Sequence, residues 1–165
     1  MWYAILGAVL LAGDQILKYW VVTHLAVGES APFLPGFMQL TRLHNYGAAW
    51  SSFSGRTVLL VVFTAVLLAV VALLLLKKVV RHWTGITACT LILSGGIGNI
   101  IDRIVHGYVV DMFDLQLFSY PVFNLADCCV VAGAILGGVY YLFLYDKYDK
   151  KKKEPDHAHD PSDPS

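Results

Sequence analysis

Apolar residues run along this chain in four long blocks, and the polar residues that interrupt them carry the information. The first block, about Trp2–Leu25, is broken by Asp14, Gln15 and Lys18. The second, Val58–Leu76, is unbroken and matches the roughly 20 residues that a membrane-spanning helix needs. The third, about Trp83–Ile104, is weaker and rich in small residues: Gly85, Ala88, Ser94, Gly95, Gly96 and Gly98. Such residues let helix backbones approach closely in lipid. The fourth, about Pro121–Tyr145, repeats the feature with Gly133, Ala134, Gly137 and Gly138. Between the first two blocks, Phe37–His44 alternates apolar and polar positions, which predicts a strand. Pro32, Pro35 and Gly36 set its start, and Asn45-Tyr46-Gly47 reads as the turn that ends it. The pattern predicts an all-α membrane protein: four transmembrane helices with a small β-containing cap over about 26–57 and a second connection on the same side over about 105–120.

Composition agrees. Of the 165 residues, 57% are hydrophobic, against about 45–50% in soluble domains. Nothing basic precedes the first block and charges sit within it, so it reads as a retained helix and not a secretory signal. Residues 1–148 form one membrane domain. Residues 149–165, charged and rich in Pro, Asp and Ser, read as a disordered tail whose basic start touches lipid head groups. His157 and His159 belong to that solvated tail. Net charge is zero, and no nucleic-acid partner is expected. Cys89, Cys128 and Cys129 all lie in apolar blocks and imply no disulfide framework.

Charge placement predicts orientation. Eight basic residues flank one side (Lys77, Lys78, Arg81, Lys147 and Lys150 to Lys153), and three (Arg42, Arg56, Arg103) flank the other. The richer side is cytoplasmic, so both termini face the cytoplasm and the cap faces outward. Asp14 then lies ~18 Å along the first helix, past its middle. Asn99, Asp102 and Arg103 fall at the outer end of the third span, and Asn124 and Asp127 in the first outer turns of the fourth. Asp111 lies in the outer connection and Asn45 in the cap. The strongly polar intramembrane residues gather in one half.

Several of these have structural explanations. Asp14 and Lys18 are four apart on one helical face and read as a pair. Asp102 and Arg103 sit at a membrane boundary, where charges are ordinary. Asn45, Asn99 and Asn124 suit either irregular backbone or the orientation of a carboxylate. Asp111 and Asp127 are least explained by local pairing, although spacing alone leaves Asp102 and Asp114 as alternatives. Two carboxylates held close share a proton and offer a base and an acid together. That is aspartic-protease chemistry, which needs no metal or cofactor. No HExxH spacing supports metal hydrolysis, His106 is the sole histidine near Ser94, and the GGIGN run lacks the lysine of a phosphate loop. A proton- or ion-coupled carrier would place its acids near the midplane with access from both sides, whereas Leu67–Leu76 is uninterrupted. A structural subunit glued by polar residues is the remaining alternative.

The motifs DQILK (Asp14–Lys18), HNYGAAWS (His44–Ser51), GGIGNIIDR (Gly95–Arg103), GYVVDM (Gly107–Met112) and FNLAD (Phe123–Asp127) together resemble the lipoprotein signal peptidases, or signal peptidase II. Each is short, but five in the family's order on the expected sides of four spans are specific. The resemblance implies an aspartyl dyad at Asp111 and Asp127, with Asn45, Asn99, Arg103 and Asn124 lining the site and Asp14, Lys18, Gly95 and Asp102 supporting it. Met112 and Trp50 replace phenylalanines more usual in the family, both conservatively. The implied substrate is a bacterial prolipoprotein carrying diacylglycerol on its lipobox cysteine, cut just before that cysteine at the outer face of the cytoplasmic membrane. A monomer in contact with membrane lipids is expected, and the resemblance further implies inhibition by globomycin-type cyclic peptides.

Overall fold

The computed structural model describes residues 1–47 and 56–150. Trp50, Ser51 and the tail beyond Lys150, including His157 and His159, lie outside the described residues. Among the described residues, four helices are long and apolar enough to cross a membrane: α1 (Trp2–His24), α2 (Thr57–Leu76), α3 (Trp83–His106) and α4 (Leu125–Phe143). A single turn, α5 (Tyr145–Tyr148), follows. Three strands, β1 (Ser30–Leu34), β2 (Met38–Asn45) and β3 (Val109–Leu115), form one antiparallel sheet in the order β1-β2-β3.

α3 is the hub, flanked by α1, α2 and α4. Its glycines explain why. A methyl group on Gly95 would collide with the Ala126 carbonyl oxygen of α4, and one on Gly96 would lie 2.6 Å from Leu68 Cδ2 of α2. Gly133 answers from α4, where a methyl would lie 2.9 Å from the Ala88 carbonyl oxygen. Bare backbone at these crossings is what draws the helices together in a solvent where apolar burial supplies little.

The sheet sits at one end of the bundle. Gly107 ends α3 in the left-handed region (φ 81°), which glycine adopts without strain, and β3 begins two residues later. The connection over 105–120, for which the sequence pattern predicts no strand, therefore contains one. Its outer edge is covered too, since Phe113 and Phe123 exchange backbone hydrogen bonds at 2.7 and 3.1 Å. Val110 and Met112 pack with Val21 of α1 and with Leu25, the residue that ends it. Arg42 Nη1 donates to the Val22 and Leu25 carbonyls at 3.0 and 2.9 Å, fastening β2 to the end of α1. Asp114 accepts from Gln39 Nε2 (2.8 Å) and Thr41 Oγ1 (3.0 Å) across the sheet.

Candidate active site

β3 carries Asp111 into the interior, where it is 1% exposed. The Phe113–Phe123 bridge then folds the chain back, so that α4 starts beside the strand. Asn124 caps α4: its Oδ1 accepts from the Asp127 amide at 2.9 Å, while Asp127 Oδ2 accepts from the Asn124 amide at 3.2 Å. This reciprocal capping box fixes the first turn of the helix. The side-chain Nδ2 of Asn124 in turn donates to Asp111 Oδ1 at 2.7 Å. One residue thus donates to both carboxylates, to Asp111 from its side chain and to Asp127 from its backbone, although the two acids stand sixteen positions apart in the chain.

Two more asparagines complete the frame. Asn45 Nδ2 donates to Asp111 Oδ2 at 3.0 Å, and Asn99 Nδ2 donates to Asp127 Oδ1 at 2.8 Å. All four carboxylate oxygens therefore accept from a neutral amide or a backbone N–H. Arg103, which lines the cavity beside these acids, bonds backbone instead: Nη1 donates to the Asn99 carbonyl (3.2 Å) and Nη2 to the Gly47 carbonyl (2.7 Å). Burial, and next the Asp127 carboxylate, push the Asp111 carboxyl up to about 7, against the Asn45 and Asn124 hydrogen bonds and the charge of Lys18. A carboxyl so raised is partly protonated near neutral pH.

Asp111 and Asp127 open into a cavity of about 340 Å³ whose polar lining includes Asn45, Asn99 and Arg103 and whose apolar wall runs from Tyr120 to Phe123 and on to Val130 and Val131. A mostly apolar cleft with a few convergent polar groups suits an apolar ligand with one reactive polar point. Asp14, Lys18 and Asp102 lie behind this frame. Lys18 Nζ sits 2.8 Å from Asp14 Oδ2 and 3.0 Å from Asp102 Oδ2, and all three residues are buried. Gly95 stands where α3 meets the Ala126 carbonyl.

Sequence reasoning missed three participants. Gln15 donates to Asp14, Asp102 and the Gly98 carbonyl; its place inside an apolar block beside Asp14 was the available signal. Gly98 lets Asp14 approach, for a methyl there would lie 2.7 Å from Asp14 Oδ2. The Tyr120–Phe123 wall left no pattern, because its position depends on the bridge to β3.

Comparison with known proteins gives a consistent result. The family model described as Signal peptidase (SPase) II matches residues 6–143. The chain is similar to the lipoprotein signal peptidase of Enterococcus faecalis, with 38% identity over 151 residues, covering 92% of this chain and 93% of that protein. It is 39% identical to that of Lactococcus lactis subsp. lactis over 143 residues, covering 87% and 91%. Two solved bacterial membrane enzymes share the fold. One, at 2.3 Å resolution, superposes with a TM-score of 0.79 at 32% identity, covering 92% of this chain and 93% of that one. The other, at 1.9 Å, gives 0.78 at 31% identity, covering 86% and 92%.

Proposed function

The chain belongs to the signal peptidase II family, and on that premise we propose that Asp111 and Asp127 are its catalytic pair. It is a membrane peptidase that removes signal peptides from prolipoproteins. The observation that carries the dyad is the shared Asn124, which bonds both carboxylates at the wall of the cavity. In the monoprotonated pair, the ionised carboxylate takes a proton from a water molecule, which attacks the scissile carbonyl carbon. The protonated one gives its proton to the carbonyl oxygen. Collapse of the tetrahedral intermediate breaks the C–N bond: the departing amine takes up a proton from the pair while one hydroxyl of the intermediate returns its proton to the other carboxylate, so acid and amine leave and the pair is again monoprotonated.

The finer reading follows from chemistry around that site. The substrate is a prolipoprotein whose cysteine already carries diacylglycerol, cut immediately before that cysteine. The apolar wall from Tyr120 to Val131 supports a substrate that brings both a signal helix and acyl chains. The uneven distribution of Lys and Arg supports cytoplasmic termini, with the sheet and the cavity at the outer face of the bacterial cytoplasmic membrane. The enzyme acts as a monomer and is blocked by globomycin-type peptides. Asn45, Asn99 and Asn124 orient the dyad, and Arg103 holds the cavity rim. Purified Asp111→Asn and Asp127→Asn variants, assayed on a diacylglyceryl-modified prolipoprotein, should each lose turnover while remaining folded. Near-normal turnover in either folded variant removes the assignment.

A further inference from the structure

Behind the dyad lies a charged network that does not line the cavity. Lys18 Nζ contacts Asp14 Oδ2 and Asp102 Oδ2 at 2.8 and 3.0 Å, and Gln15 Nε2 links the same two carboxylates at 3.2 and 3.1 Å. The carboxylates then reach in two directions. Asp14 Oδ1 accepts the backbone N–H of Ala126 at 2.9 Å, and Asp102 Oδ2 accepts that of Val110 at 3.0 Å. Those N–H groups belong to the residues immediately before Asp127 and Asp111. Lys18 also donates to Asn99 Oδ1 at 3.0 Å, and Asn99 in turn donates to Asp127.

Two acids and one ammonium, 1–3% exposed inside a membrane bundle, are expensive to keep, and a well-packed apolar replacement of such a network is often no less stable. Local folding does not demand them. α4 is already capped by Asn124, and β3 is already paired with β2 and bridged to Phe123. The added bonds do one further thing: they connect the backbone beside each dyad member to the same ammonium group.

We propose that Asp14, Lys18 and Asp102 form a spacer that sets the separation of the Asp111 and Asp127 carboxylates by gripping the backbone N–H of the residue that precedes each. Lys18 is its centre, and all three are positioning residues that do not touch substrate. This inference rests on the dyad reading. It assigns α1 a role in the reaction, although α1 supplies no lining residue of the described cavity.

The test uses the purified full-length chain with a diacylglyceryl-modified prolipoprotein. Lys18→Met alone strands two buried carboxylates and is a folding risk, so the deciding variant is Asp14→Asn/Lys18→Met/Asp102→Asn. It removes every charge, keeps the side-chain shapes, and cuts the link between the two grips. Its kcat should fall about 100-fold, the cost associated with a misplacement near 1 Å, with KM within about twofold of the parent. Restoring Lys18 and Asp102 in the Asp14→Asn single variant should recover part of kcat. A folded triple variant with near-parental kcat overturns the proposal, as does a rise in KM with kcat unchanged. Hydrogen exchange on the unaltered enzyme supplies a readout independent of variant folding. The Ala126 amide, in the first turn of α4 where amides ordinarily exchange fast, should be slow, and rapid exchange there overturns the spacer. If Asp111→Asn and Asp127→Asn abolish turnover while the triple variant does not, the spacer alone fails; if they leave turnover intact, the dyad fails.

Discussion

Asn124 performs two separable tasks, and a single substitution divides them. Its oxygen caps α4, a contribution worth about 1 kcal/mol, and its nitrogen donates to Asp111. Asn124→Asp keeps the cap acceptor but turns a donor into an acceptor 2.7 Å from Asp111 Oδ1. Helix stability should survive better than in Asn124→Ala, while kcat falls at least about tenfold, as expected for losing a hydrogen bond to a charged group; thermal denaturation and turnover, measured side by side, check this. The pair should also show in the pH profile. With the Asp111 carboxyl raised to about 7 by burial and by Asp127, the shared proton is lost as pH climbs through that value, so turnover falls on the alkaline side. The limb belongs to the coupled pair and not to one residue. Stability follows the same sign: a carboxyl raised on folding stabilises the folded state below its unfolded value and loses that contribution as pH rises. Asp111→Asn should therefore flatten the decline between about pH 4 and about pH 8 by a few kcal/mol.

The small-residue stripes seen in the sequence become specific at the scale of whole elements. Gly95 and Gly96 are neighbours with different obligations. A methyl on Gly95 meets the backbone of α4 at Ala126, which cannot turn aside, and Ala126 is also where Asp14 grips the helix. A methyl on Gly96 meets only the end of the Leu68 side chain. Gly95→Ala should cost about 1–3 kcal/mol by overpacking and reduce turnover strongly, because it displaces Asp127. Gly96→Ala should cost less than about 1 kcal/mol and leave turnover near normal; unfolding in detergent and the cleavage assay separate the two. The helices were legible because each is a long apolar block, and β2 because one of its faces is apolar and the other polar. β3 was not. Val109 to Met112 are all buried, since α1 packs on the strand and Asp111 turns toward the site, so the alternation that marks a half-exposed strand is missing. The polar residues of the site stood out by their cost in an apolar chain, yet their partners did not: that Asp102 reaches Val110 depends on the Gly107 turn between α3 and β3, and that Asn124 serves both acids depends on the Phe113–Phe123 bridge.

At the scale of the molecule, the two ends of the bundle carry two buried polar clusters with different roles. The sequence assigns Asp149 to a solvated tail. It is instead 6% exposed, accepting from the Arg81 and His82 amides at 3.0 Å each and from the Tyr140 hydroxyl at 2.5 Å, with Arg81 Nε at 3.2 Å. Burial alone would raise this carboxyl, but the Tyr140 hydroxyl, the two backbone amides and the Arg81 side chain together hold it at about 2. It is thus ionised throughout the neutral range, and its stabilisation is lost only as pH falls from the ordinary carboxylate range through about 2. The contacts join the end of α4 to the start of α3, across the Tyr140 face where Gly85 also packs. Asp149→Ala removes one side of this cluster and leaves the Tyr140 hydroxyl and two amides without their acceptor, which costs about 1–3 kcal/mol for each buried group left unpaired. The dyad lies at the opposite end of both helices, at the C-terminus of α3 and the N-terminus of α4. The thermal midpoint should therefore drop by several degrees, while kcat and KM, measured well below that midpoint, stay near the parent values. A variant with an unchanged midpoint but a reduced kcat would mean that the two ends are coupled through α3 and α4.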